Sequence, residues 1–256
     1  MTAPKSMEAP KSFQVAGIDG CKAGWVVAFV SSSVDDAGTL QYPLAVDSIW
    51  VSPHFADVLL KTYNCRLICV DIPIGLSDGP KPRACDVAAR RLLGPRASSV
   101  FPPPARPCLP AKSYHEASKT QFQCAGKKLN KQSFFIMDKI RQVDELITPA
   151  MQKRVREIHP EVTFRALNRG RPVEHNKKTR AGRDERIALL SSIFPNAGEM
   201  VNGMRKPGKA EPDDILDALA AAWTAAKAAI GKAATLPEQP ELDSKGLRME
   251  ILEPIL

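Results

Sequence analysis

Short runs of Val, Ile, Phe and Trp, separated by turn residues, fill the first part of the chain and predict β-strands. Gln14–Ile18 and Trp25–Ser31 form two such runs, joined by a Gly-containing turn, and a further strand is expected around Leu40–Val46. The spacing of apolar residues over Ile49–Lys61 predicts an amphipathic helix. Arg66–Asp71 is almost continuously apolar, which predicts a strand buried on both faces.

The middle of the chain changes to a proline-rich pattern. Helical spacing survives at Arg83–Leu93, Ser113–Phe122 and Ser133–Ile147, between stretches such as the prolines at 102–104. We therefore interpret residues 77–150 as a helical insertion over the edge of a sheet.

Strand and helix patterns alternate after the insertion. The chain shows a short strand pattern at Val155–Ile158, a helix start at Pro160 and a helical pattern at Asp184–Phe194. The strongest helix pattern, Ala-rich, covers Pro212–Ile230, and Arg248–Leu252 is either a late strand or a docked tail. The predicted organisation is a disordered tail over 1–11, one domain over 12–231 and a C-terminal tail over 232–256.

Four carboxylates occupy positions at the ends of these predicted elements. Asp19 follows the first strand, and Asp71 ends an apolar strand, where an ionised group is unfavourable unless it is paired or binds a metal. Asp214 and Asp217 share one face in the first turns of the Ala-rich helix. Small residues on that helix allow it to approach a sheet closely, so we expect these acids to lie close enough to share divalent ions.

A second cluster surrounds a strand-to-helix turn at Glu157, His159 and Glu161. Glu157 is positioned to reach the edge near Asp71 as a ligand or an orienting residue. His159 is open to two interpretations, a proton shuttle or a structural histidine. Glu161 lies in the first turn after Pro160, which is a normal position for an acid at a helix start.

Composition limits the remaining possibilities. The 256 residues, 44% of them hydrophobic, are enough to bury a core, and the net charge of +8 favours a polyanionic partner. Residues 153–209 carry 14 basic and 6 acidic side chains, a distribution that fits a phosphate-binding surface or a solvated face. Scattered cysteines and the absence of an apolar leader or membrane-length run predict a cytoplasmic protein with reduced thiols and no membrane association.

The motifs together resemble a family of predicted RNase H-like nucleases that is classed as a domain of unknown function. The blocks that carry the resemblance begin at Gly17-Ile-Asp19-Gly, Asp71-Ile-Pro-Ile, Asp86-Val-Ala-Ala-Arg90, Glu157-Ile-His-Pro-Glu161 and Asp213-Asp-Ile-Leu-Asp217. The first, second and last blocks are more distantly similar to RuvC-type Holliday-junction resolvases. Asp71 differs from the resolvase pattern, in which the second acid is usually the longer Glu.

The resemblance implies an α/β, RNase H-like fold, with a mixed five-stranded sheet in the order 3-2-1-4-5 and helices on both faces. It also implies a metal-dependent nuclease that uses two Mg²⁺ or Mn²⁺ ions on DNA or RNA. Asp19 would bridge the ions, and Asp71 with Asp214 or Asp217 would complete their coordination. The candidate phosphate contacts are Lys22, Arg90, Arg96, Lys178 and Arg183.

Two other functional classes are compatible with the sequence. An ATP-dependent phosphotransferase of the actin, hexokinase and Hsp70 type shares the core, but it duplicates that core and the chain shows no second phosphate loop. A non-catalytic nucleic-acid-binding protein on the same fold is the other alternative, although a complete set of acids argues against lost turnover.

Overall fold

A computed structural model describes residues 11–204 and 210–256 of the chain. Its strands are β1 (Lys11–Cys21), β2 (Gly24–Val34), β3 (Ala45–Ser52), β4 (Leu67–Val70), β5 (Val155–Glu157), β6 (Ala233–Leu242) and β7 (Arg248–Pro254). Its helices are α1 (Phe55–Lys61), α2 (Ala84–Leu93), α3 (Tyr114–Ala125), α4 (Lys131–Phe135), α5 (Met137–Leu146), α6 (Pro160–Leu167), α7 (Arg180–Ser191), α8 (Ala197–Met204) and α9 (Pro212–Ala229). None of the helices in these ranges is long and apolar enough to cross a membrane.

The central sheet of the described ranges has five strands in the order β3-β2-β1-β4-β5. β1 pairs antiparallel with β2, and β2 pairs antiparallel with β3. β4 runs parallel to β1, and β5 runs parallel to β4. The order and the strand directions confirm the RNase H-like topology predicted from the motifs.

Alternating side chains divide the core between the two faces of this sheet. Val15, Val26 and Ala28 pack on one face with α9 and with apolar residues of α6, α7 and α8. Ile18 and Val27 pack on the opposite face with α1, α5 and part of the insertion. Because β1 alternates, Asp19 is on the same face as Val15, which is the face that α9 covers.

The Ala-rich helix α9 lies directly on β1, as its small residues predicted. A Cβ atom added to Gly17 would stand 2.0 Å from the Ala218 carbonyl oxygen and 2.1 Å from the Ala222 nitrogen. Only glycine permits this approach, because both neighbours are backbone atoms that no rotamer change can move. The contact fixes the position of α9 along the strand that ends in Asp19.

Two predictions near β3 were correct only in part: residues 45–46 of the expected strand belong to β3, and residues 55–61 of the expected helix form α1. Residues 40–44 are not in a strand, and β3 instead begins at Ala45 and includes residues 49–52, which the sequence assigned to a helix. Cross-strand pairs such as Val26 with Val51 hold this segment in the sheet. Since β3 is half-exposed at the sheet edge, its polar residues obscure the alternating pattern.

The remaining differences concern element ends. The predicted helix over Ser133–Ile147 is two helices, α4 and α5, separated at Ile136, whose backbone leaves the helical region. The segment at 248–252 is a strand, β7, and it pairs with β6 in a hairpin that packs on α2 and α6. The region expected to be a C-terminal tail contains this hairpin, whereas residues 1–10 of the expected N-terminal tail lie outside the described residues.

The Gly17 contact predicts a large effect of a single methyl group. Gly17→Ala should lower the free energy of unfolding by about 3 kcal/mol, near the upper end for overpacking, because rigid backbone must move. Denaturant unfolding measures this loss. The matched control is Gly203→Ala in α8, where an added Cβ meets no atom of the described residues within 4 Å. Equal stabilities of the two variants would contradict the proposed role of Gly17.

Candidate functional site

Two of the predicted acids lie side by side at the ends of neighbouring parallel strands. The β1–β4 pairing runs as far as Ile18 and Val70, and the Asp71 N–H donates to the Ile18 carbonyl at 2.9 Å. The next residue of each strand is therefore an aspartate. Asp19 is 6% exposed and its Oδ1 accepts the Gly20 N–H at 2.7 Å, while Asp71 is half-buried.

The first turns of α9 supply the other acids. Asp214 Oδ2 accepts the Glu211 N–H at 2.8 Å, so Asp214 also completes a capping box at the helix start. Asp217 lies one turn further on and is 1% exposed. The close packing of α9 on β1 directs this buried carboxylate towards Asp19.

A cavity of about 300 Å³, here called the acid cavity, is lined by Asp19, Asp71, Asp214 and Asp217. The structure thus brings together the four carboxylates that the sequence singled out. Within the described ranges, however, no three Asp, Glu, His or Cys side chains are close enough to hold a metal ion as they stand. The sharing of divalent ions by these carboxylates therefore stays a prediction.

Two lysines of the loop before α7 occupy the acid cavity. Lys177 Nζ lies 2.6 Å from Asp217 Oδ2, and Lys178 Nζ lies 2.6 Å from Asp213 Oδ2. The sequence indicated Lys177 only as one charge of a basic run, because the distance between residues 177 and 217 in sequence hides the ion pair. An internal cation therefore neutralises part of the buried negative charge.

Burial and mutual repulsion raise the pKa values of these acids. The pKa of Asp19 rises well above its usual range, mainly through burial and then through the charges of Asp71 and Asp217. Burial raises the pKa of Asp71 to about 6, against the opposing charge of His159. Burial likewise raises the pKa of Asp214 to about 6. A cation that approaches these carboxylates stabilises their ionised form.

Glu157 also lines the acid cavity, but both of its carboxylate oxygens have partners. Arg83 Nη2 lies 2.7 Å from each oxygen, and Oε2 accepts the Ile74 N–H at 2.7 Å. Ile74 belongs to the segment that follows Asp71. These contacts favour the orienting role for Glu157, since it anchors the backbone behind Asp71.

His159 has both ring nitrogens in contact with the backbone. Nδ1 accepts the Glu161 N–H at 3.3 Å as a helix cap, and Nε2 lies 3.3 Å from the Ser99 carbonyl oxygen. Of the two interpretations left open by the sequence, these contacts favour the structural one. Glu161 pairs with the buried Arg186, a residue whose burial nothing in the sequence indicated.

The candidate phosphate contacts are divided among several places. Lys178 lines the acid cavity, and Arg183 lines an adjoining cavity that shares Lys177 and Lys178 with it. Arg96 pairs with Glu161 at 3.4 Å, while Arg90 donates to the Val100 carbonyl. Lys22 is exposed and lines neither the acid cavity nor the adjoining cavity.

A family model described as "Protein of unknown function (DUF429)" matches residues 17–242. The chain belongs to this family. The match includes the four carboxylates of the acid cavity, whereas Ile251 of β7, which also lines the cavity, lies beyond its end. A solved structure titled "Thermus thermophilus RuvC structure" is 14% identical, with 85% of this chain and 95% of that chain covered and a TM-score of 0.33. The comparison with curated proteins gives no match.

The raised pKa of Asp71 predicts a stabilising substitution in the metal-free protein. Between about pH 4 and pH 6 the folded state retains a proton that the unfolded chain has released, so the free energy of unfolding falls as the pH rises. Asp71→Asn should therefore increase that free energy at pH 7 by about 1–3 kcal/mol and change it little at pH 4.

Denaturant titrations in EDTA at both pH values test this expectation. Asp144→Asn is the control, because that buried acid contacts Arg106 at 2.9 Å and Lys245 at 2.7 Å and should destabilise the fold when neutralised. A loss of stability in Asp71→Asn at pH 7 would show that Asp71 serves the fold.

Proposed function

We propose that this member of the DUF429 family is a metal-dependent nuclease that hydrolyses phosphodiester bonds of nucleic acid. The observation that carries the proposal is the meeting of Asp19, Asp71, Asp214 and Asp217, from two strands and a helix, in one cavity. The capping box explains Asp214, but among the described residues no helix cap or ion pair explains Asp19 and Asp71, whose pKa values are raised by burial and by neighbouring acids. Buried sites of this kind are typical of function.

The donor set suits Mg²⁺ or Mn²⁺, which prefer carboxylate oxygens and water. Asp217 Oδ1 is buried and has no hydrogen-bond partner among the described residues, although its other oxygen contacts Lys177. An unsatisfied buried carboxylate oxygen is unfavourable until a donor or a cation reaches it. Asp19, Asp71, Asp214 and Asp217 would hold the ions, and Lys177 would have to release Asp217 first.

Bound ions would supply activation of the attacking water and stabilisation of the leaving oxygen. The chain's own groups would position the substrate. Lys177, once released from Asp217, would contact a phosphate oxygen at the same place, and Lys178 and Arg183 would bind phosphates in the adjoining cavity. Glu157 would act as a positioning residue through its bond to the Ile74 N–H.

A first test uses metal-dependent stability and cleavage together. Mn²⁺ or Mg²⁺ should raise the melting temperature of the parent protein, because the ions neutralise repelling carboxylates. Asp19→Asn should remove most of that rise, and it should abolish cleavage of labelled DNA and RNA strands while leaving the metal-free fold intact. Asp138→Asn, at an exposed acid outside the cavity, is the control. An undiminished thermal shift in Asp19→Asn would refute the assignment of Asp19 as a ligand.

A second test separates the internal cation from the metal. Lys177→Gln should lower the melting temperature in EDTA, since it leaves Asp217 buried without its partner, and should enlarge the rise caused by Mn²⁺. Differential scanning fluorimetry measures both quantities. Lys178→Gln removes the same charge from a side chain that is 67% exposed. It should change the melting temperature in EDTA and the rise caused by Mn²⁺ only slightly. If both variants respond equally to Mn²⁺, Lys177 does not compete with the ion.

A further inference from the structure

A second cavity, of about 400 Å³, lies on the other side of Asp86 from the acid cavity, and Asp86 lines both. We call it the proline-rich cavity, because its apolar walls are largely prolines of the insertion, with Val87 and Leu129. The proline residues are Pro80, Pro82, Pro102, Pro103 and Pro104. The proposed mechanism makes no use of this space.

The charged lining of the proline-rich cavity is almost entirely cationic. Five basic side chains face one acid, Asp86; the five are Lys81, Arg83, Arg90, Lys127 and Lys128. Lys81 pairs with Glu241 and Arg83 pairs with Glu157. For Arg90, Lys127 and Lys128, the described part of the chain offers no carboxylate within 4.0 Å. The cavity therefore has positive charge that the protein itself does not balance.

Arg83 adds a buried, incompletely bonded donor group to this wall. Its residue is 1% exposed, and its contact with Glu157 uses only Nη2. Nε lies 3.7 Å from Asp86 Oδ2, and neither Nε nor Nη1 has a hydrogen-bond partner among the described residues. Both atoms are buried, so Arg83 places unused N–H groups behind the wall of the cavity and offers no exposed contact for a ligand.

The proline-rich cavity is one of a series of cavities with shared walls. Lys177 and Lys178 line both the acid cavity and the adjoining cavity near Arg183, and Lys128 lines both the proline-rich cavity and a fourth one. Exposed aromatic rings accompany the cations. Phe101, 40% exposed, lines the acid cavity, and Phe122, 58% exposed, lines the fourth.

We propose that the proline-rich cavity binds single-stranded nucleic acid, as the continuation of the strand whose phosphodiester lies in the acid cavity. This inference rests on the proposed nuclease function and names its substrate class. Cationic side chains for phosphates, interleaved with aromatic and apolar surfaces for bases, are what a protein needs to hold an unpaired strand. A cavity of about 400 Å³ has the size of a small-molecule site and is too small to enclose a duplex.

Binding and cleavage are tested separately. Fluorescence anisotropy in EDTA, across a range of salt concentrations, measures affinity for a labelled oligothymidylate of about 12 nucleotides. Lys127→Ser with Lys128→Ser should weaken binding at least about fivefold and reduce the salt slope by about 0.7 for each lost phosphate contact. Both lysines are exposed, so the fold should tolerate the change.

The matched control is Lys61→Ser with Lys232→Ser, which removes the same charge from exposed positions that line none of the four cavities. Its affinity and salt slope should remain those of the parent. Unlabelled duplex of equal length and thymidine monophosphate serve as competitors, and both should compete poorly. Equal affinities of the two double variants, no binding by the parent, or equal competition by duplex or mononucleotide would overturn the inference.

A cleavage assay in Mg²⁺ distinguishes failure of the single-strand site from failure of the proposed nuclease function. If the parent cuts the strand but the Lys127 and Lys128 changes leave its affinity unaltered, the single-strand site is wrong and the nuclease remains. If the parent binds the strand through these lysines and never cuts it, the single-strand site stands and the nuclease is wrong.

Discussion

The backbone contact between α9 and β1 at Gly17 is the constraint on which the acid cavity depends. At this point the Ala218 and Ala222 backbone occupies the space that any other side chain would need. A helix held this close has little freedom to slide or rotate, because the contact joins main chain to main chain. Asp19 lies two residues beyond Gly17, and Asp217 directly precedes Ala218. The geometry of the carboxylates is thus set by packing before any charge interaction contributes.

Buried arginines attach the surrounding segments to this rigid centre. Arg83 joins α2 to Glu157 at the end of β5, and Arg186 joins α7 to Glu161 in α6. The half-buried Arg106 pairs with Asp144 within the insertion and connects the insertion to Asp243, which lies between β6 and β7. Removing one partner from such a pair leaves a buried charge uncompensated. Ion pairs therefore hold the segments around the cavities, whereas apolar packing of α9 on β1 holds the carboxylates at the base of the acid cavity.

Local patterns predicted the elements that carry Asp19, Asp71 and Asp217, because apolar strands, helix starts and small-residue faces are visible in the sequence. The strand order followed from the family resemblance of the motifs. The sequence did not predict the extent of β3, where an exposed edge weakens alternation, or the break between α4 and α5 at Ile136. The ion pair between Lys177 and Asp217 could not be predicted from the sequence for another reason. Contacts between residues 40 positions apart follow from the fold and leave no local signal. The same applies to Arg83, whose partner is 74 residues away.

The ion pair between Lys177 and Asp217 bears on how the chain is made. Clustered carboxylates inside a protein usually oppose folding, and some small metalloproteins remain unfolded until their ion arrives. Here an ammonium group from the same chain takes up part of that charge, so the fold can be completed during synthesis without waiting for a cation. Under the proposed function, biogenesis would then not depend on the supply of metal, and the mature protein would respond to the free ion level of its surroundings.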